Sequence, residues 1–208
     1  MLKPFRRRAS PALSRGVTMM EVLVTLIIVT LGLLGAAGMQ ARLQVAEMES
    51  YQRAQAIVLL QDMVDRIGAN RKNAANYDTT TLGSTLGTGT TLDCSAAAIA
   101  AALPAMKQAL TDACEWSSAL LGAAETSGGN KVGAMIGARG CIELTAATMP
   151  REAKVSLVWQ GLDPTRAPLS TSCGFGSFTD DATRRAMIAF VMIGCLQNDP
   201  GTGACVTP

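Results

Sequence analysis

The chain contains no histidine. Neither a Ser-His-Asp nor a Cys-His nucleophile arrangement can be built without one, and zinc ligand sets that include His are excluded. There is no C-x-x-C either. The six cysteines, Cys94, Cys114, Cys141, Cys173, Cys195 and Cys205, follow one another at intervals of 20, 27, 32, 22 and 10 residues, which argues against a zinc ribbon and against a redox dithiol. The glycine-rich stretches Gly128-Gly129-Asn130-Lys131 and Gly133 to Gly140 lack the Lys-Ser or Lys-Thr that a phosphate-binding loop places after its second glycine, so they read as turns ahead of a strand. Asp62 with Asp65, and Asp180-Asp181, lack the alternating ligands of a calcium loop and read as solvated charge. No enzymatic activity, no cofactor and no metal site is expected.

Two further absences are positional. The first 16 residues hold Lys3, Arg6, Arg7, Arg8 and Arg15 but no acid, and the stretch from Val22 to Ala41 holds no charge of either sign. Without those 16 residues, 13 basic residues remain against 16 acidic ones, so the formal charge moves from +2 to −3. The positive balance belongs to the leader, which removes the electrostatic case for a nucleic-acid partner. The uncharged run is about 20 residues, roughly one bilayer of helix at 1.5 Å per residue. Hydrophobic residues make up 49% of the chain, enough for a real core and incompatible with a disordered chain.

The order of these parts carries information. In a secretory signal the small-residue cleavage site follows the apolar stretch; here Gly16 precedes it, so a cut there leaves the hydrophobic segment on the mature chain. An uncleaved signal anchor also explains the charge and the run, but not Glu21, a carboxylate just inside the apolar stretch. Such a group costs about 2 to 3 kcal/mol on insertion scales, less near the interface, and its presence points to a partner. Positive residues favour the cytoplasmic side, which puts residues beyond about 42 outside. All six cysteines lie there, and their even number fits a disulfide framework in an oxidising compartment.

On these residues, Arg15-Gly16-Val17-Thr18-Met19-Met20-Glu21 and the run behind them, the chain resembles a type IV prepilin. More narrowly, Tyr51-Gln52-Arg53-Ala54-Gln55-Ala56 and Leu59 to Ile67 resemble the minor pilin family called type IV pilus modification protein PilV. The resemblance covers about the first 70 residues. It implies cleavage by a prepilin peptidase between Gly16 and Val17, N-methylation of Val17, and a role for Glu21 as counterion to a neighbouring subunit's new amino terminus. The family more often has Phe where this chain has Val17. The partners implied are other major and minor pilins, the prepilin peptidase and the inner-membrane pilus assembly machinery. The location implied is the bacterial inner membrane, crossed once with a periplasmic head, and then the pilus and cell surface.

Past the membrane segment, Leu43, Ala46, Ala54, Ile57, Leu60, Val64 and Ile67 recur at spacings of three and four, so the helix is expected to continue to about Ile67 with an amphipathic outer half. Asp62 and Arg66 form an i,i+4 pair in the favourable order. Gly68 and Asn70 offer a stop. Thr79 to Thr91 reads as an exposed Thr/Gly connector. A second helix is expected over about 95 to 121, broken near Pro104, with Leu103, Met106, Leu110, Ala113 and Leu120 on one face. Strand candidates are 140–146, 154–160 with Val155, Leu157 and Trp159 alternating, and 186–196. Trp116 and Trp159 are expected in the core.

The fold class is therefore α+β: a long N-terminal helix on a small antiparallel sheet of three or four strands, pilin-like by the resemblance. Its parts are a leader (1–16), a hydrophobic transmembrane segment (17–41), an amphipathic continuation (42–70) and an exported head with disulfides (71–208). Among possible bridges, Cys195 with Cys205 would close the turn Asn198-Asp199-Pro200-Gly201, and Cys94 with Cys114 would close another short loop. The functional reading is a minor pilin acting in pilus assembly through helix packing. Two alternatives stand beside it: a minor pseudopilin of a type II secretion system, and a surface-binding module on a signal anchor.

Overall fold

The computed structural model describes residues 16–122, 126–127, 130–131, 135–145 and 151–195, and the chain divides into two compact units, Met1–Val45 and Ala46–Pro208. Helix α1, Met19–Ala69, runs through the boundary between them. It contains no proline, and Ala69 follows Gly68 where the helix ends. In the first unit its side chains from Val22 to Leu34 are exposed, and the polar residues Thr25 and Thr30 donate their hydroxyls to the carbonyls of Val22 and Ile27, both at 2.9 Å. Each side-chain hydroxyl in that part of the run is thus satisfied inside its own helix.

In the second unit α1 buries Gln52, Ala56, Leu60, Met63 and Ile67. This corrects the expected stripe: Ala46, Ala54 and Ile57 are exposed, and the polar Gln52 takes an inward position. Apolar residues occur on more than one face here, with Ile57 and Val58 beside Leu59 and Leu60, so spacing alone does not fix the phase of the buried face. After α1 comes a 3₁₀ segment, Arg71–Tyr77, then the short helix α2, Thr79–Leu82.

The Thr/Gly stretch is not an exposed connector. Leu82 and Leu86 are buried, and strand β1, Leu86–Gly87, joins the sheet. Gly87 has φ 88°, and a Cβ there would lie 2.5 Å from the Ala138 carbonyl oxygen, so the turn needs glycine. The expected second helix is divided where the proline predicts, into α3, Ala96–Ala101, and α4, Pro104–Leu120, with Pro104 in the first turn. Leu103 stands at the N-cap, exposed, rather than on the buried face; Leu110, Ala113, Trp116 and Leu120 are buried.

Strands β2, Thr126–Ser127, and β3, Asn130–Lys131, form a separate ribbon. The main sheet joins β1 to β4, Arg139–Leu144, β5, Arg151–Gln160, and β6, Arg184–Ile193, in that order and antiparallel throughout. The fold is α+β, a long apolar N-terminal helix with a four-stranded antiparallel sheet. On one sheet face Ile142, Val155, Leu157 and Trp159 share a core with Leu60, Met63 and Ile67 of α1 and with Trp116 of α4. Trp116 Nε1 donates to the Leu59 carbonyl at 2.8 Å, fixing α4 to α1.

The opposite face is covered too, which the alternation in β5 does not announce: Ser156 and Val158 are as buried as Val155 and Leu157. The segment between β5 and β6 supplies the cover. Its Cys173 is disulfide-bonded to Cys141 of β4, and Val158 packs there with Phe178 and Ala186. A second disulfide joins Cys94 to Cys114 of α4. Cys195 is disulfide-bonded as well, while Cys205 lies outside the described residues. Replacing Cys94 and Cys114 together by serine should lower unfolding stability by about 3 kcal/mol, the loop-closure term for 20 residues, read as a shift in the denaturant midpoint.

Candidate functional site

The residues that matter for the sequence reading sit at the start of α1. Gly16 and Val17 precede the helix and are exposed. Thr18 caps it: the Glu21 amide donates to the Thr18 carbonyl at 3.0 Å and to the Thr18 hydroxyl at 3.3 Å, and the Val22 amide donates to the same carbonyl at 3.2 Å. Thr18-Met19-Met20-Glu21 is the Thr-x-x-Glu pattern of a helix start, a signal that lies in the sequence itself. Glu21 occupies the first turn, where its charge is favoured by the helix dipole. Its carboxylate has no hydrogen-bond or ion-pair partner among the described residues and is open to solvent. The helix has an 18-residue window of mean hydropathy 2.4 with none of it buried, and it is long and apolar enough to cross a membrane.

Two of the charge clusters described in the second unit, around Arg66 and Arg184, are structural. Arg66 donates to Asp62 at 3.0 Å, to Asp112 at 3.1 Å and to Glu115 at 2.6 Å, joining α1 to α4. Burial works against the Arg66 charge, but the hydrogen bonds it donates to Glu115 and Asp62 outweigh it and hold its pKa above the ordinary value. Asp112 also accepts from the Tyr77 hydroxyl and from Gln108. Burial first, and that bond second, push the Tyr77 phenol well above its usual range, so it stays protonated. Arg184, buried, pairs with Asp181 and donates to the carbonyls of Pro168, Thr171 and Cys173, so it ties down the segment that covers the second sheet face. Both arginines are held by their own chain and present no donor fork to a substrate. Among the described residues no group of three or more His, Cys, Asp or Glu could hold a metal ion.

Asp78 caps α2, accepting from the Thr80 amide at 2.7 Å, and accepts from the Leu144 amide at 3.0 Å. Burial alone would raise its pKa; the bonds from Thr80, Leu144 and Thr81 win and hold the carboxyl below its usual 3.8. A folded pKa below the unfolded one means stability that is present above the unfolded value and is lost as pH falls through the folded one. Asp78→Asn should therefore be less stable than the unmodified chain at neutral pH, with the gap closing below about pH 4, as read by thermal unfolding across that range.

Residues 38–114 match the family model Tt1218-like, described as type IV pilin Tt1218. The matched stretch covers just over a third of the chain: α1 from Gly38 on, the 3₁₀ segment, β1 and α4 as far as Cys114. No curated protein matches the chain, and no solved structure does.

Proposed function

We propose that this chain is a minor type IV pilin of the PilV-like kind. It would be made as a prepilin, cut between Gly16 and Val17, methylated at Val17, and bundled with other pilins through α1. The observation that carries this reading is the pilin match over residues 38–114, which continues directly from the basic leader, Glu21 and uncharged run that precede it. An α+β fold with a long apolar N-terminal helix supports it, as does a helix of sufficient length and hydropathy to cross a membrane. In this reading residues 17–41 are retained in the membrane, the N-terminus faces the cytoplasm and residues 71–208 form a periplasmic head. The prepilin peptidase, the inner-membrane assembly machinery and major and minor pilins are its partners. The protein acts by packing, without catalysis of its own.

The deciding experiment is N-terminal sequencing of the native chain from cells with an active prepilin peptidase. A mature chain beginning at methylated Val17 is expected, and Gly16→Ala should leave the leader attached. A native chain still starting at Met1 sinks the proposal in favour of a signal-anchored module. Deleting the gene and scoring pili and type II secretion side by side separates pilin from pseudopilin: lost or altered pili with normal secretion is the expected pattern.

A further inference from the structure

Within the Ala46–Pro208 unit, a pocket of about 320 Å³ opens between α1 and the adjoining ends of β5 and β6. Ala46, Glu49, Ser50 and Arg53 line it from the helix, at the i, i+3, i+4 and i+7 positions of one face; Trp159, Arg185 and Ala186 line it from the sheet. Its size is at the lower end of ligand-binding clefts.

One wall is rigid and electrically settled. Arg185 donates to Glu49 at 2.8 Å, to the Asp163 carbonyl at 2.8 Å and to the Thr165 hydroxyl at 2.6 Å, so its position is fixed from three sides. Gly161 makes room for it: a Cβ at that position would lie 2.6 Å from the Arg185 guanidinium carbon. The other wall is unsettled. Arg53 has no hydrogen-bond or ion-pair partner among the described residues, and neither has the Ser50 hydroxyl. Two arginines against one glutamate leave the pocket with a single uncompensated positive charge, flanked by a free hydroxyl donor and by the methyl groups of Ala46 and Ala186.

We infer that this pocket is a receptor for one protein carboxylate, a Glu or Asp side chain of a neighbouring subunit. Arg53 supplies the paired hydrogen bonds a carboxylate accepts, Ser50 a third donor, and the alanines a surface for the methylene stem. One unit of excess charge among the lining side chains matches a single carboxylate. A membrane phosphate is the poorer fit, because Arg53 stands twelve residues, more than three helical turns, beyond Ala41, where the uncharged run ends. That the carboxylate comes from a fellow subunit rests on the pilin reading; that the pocket takes a carboxylate does not.

The test uses the full chain in detergent micelles, titrated with the blocked peptide Gly-Ala-Glu-Ala-Gly and with its glutamine counterpart, while the arginine Nε–H signals are followed by NMR. The glutamate peptide should shift the Arg53 signal saturably and the glutamine peptide should not. Arg53→Gln should weaken binding by about tenfold or more, with Arg53→Lys in between. Ser50→Ala, at an exposed position, serves as a second variant and should weaken it less. Equal response to both peptides, no saturable response, indifference to Arg53→Gln, or a response confined to phosphatidylglycerol vesicles overturns the assignment. A chain that binds the acidic peptide but never enters pili sinks the filament reading and leaves the pocket assignment standing.

Discussion

Glu21→Ala is expected to leave the Ala46–Pro208 unit folded, to leave the chain in the membrane, and to remove it almost entirely from assembled pili. The expected sign is what makes the result informative. Alanine is easier to insert than glutamate by up to about 2 to 3 kcal/mol, so if Glu21 merely tolerated the lipid interface, membrane retention would rise and nothing else would change. If it were only a helix-start residue, the loss would be about 1 kcal/mol at most, because Thr18 supplies the capping oxygen. If instead its carboxylate meets the amino terminus of another subunit inside a water-poor bundle, losing it strands a buried charge, which costs about 3 to 5 kcal/mol, hence a factor of a hundred or more in incorporation. Glu21→Gln keeps size and capping while removing the charge, and should fail like alanine. The measurement is the ratio of chain in sheared pili to chain in membranes; unchanged incorporation of both variants would remove Glu21 from the assembly mechanism.

Gly140→Ala should strongly destabilise the second unit. The Cβ would fall 2.1 Å from Trp116 Cζ3 and 2.3 Å from Cη2, with Leu120 Cδ1 at 3.1 Å. The indole cannot step aside cheaply, because it is fully buried and its Nε1 is bonded to the Leu59 carbonyl of α1. Backbone conformation is no obstacle, since Gly140 is not among the residues with positive φ. The whole effect is steric, at least about 3 kcal/mol, the upper end of the usual range for overpacking. Trp116→Leu in the same chain should recover part of it, so the two changes should be strongly non-additive in denaturant unfolding.

The parts of the fold legible in the sequence are those that local chemistry decides. A proline at 104 divides one expected helix into two because it has no amide to donate and its ring disfavours helix before it. The strand candidates at 140–146, 154–160 and 186–196 correspond to β4, β5 and β6 with no end moved by more than three residues. Threonine-rich 79–91 misleads for the converse reason. Two leucines in it, Leu82 and Leu86, reach the core, and short side chains around them let β1 run beside β4, which composition cannot reveal.

By itself, the sequence determined that this chain has a basic first stretch, one carboxylate at the mouth of an uncharged run, no histidine chemistry and enough apolar residues for a core. Each of these is a property of residues taken in order, set by charge, length and functional groups. Only the tertiary structure decided which face of α1 turns inward and that the segment carrying Cys173 closes the second face of the sheet. It alone joined Glu49 to Arg185, 136 residues apart, leaving Arg53 unmatched. These depend on which distant surfaces meet, and one-dimensional spacing constrains the period of a buried stripe but not the partner that buries it.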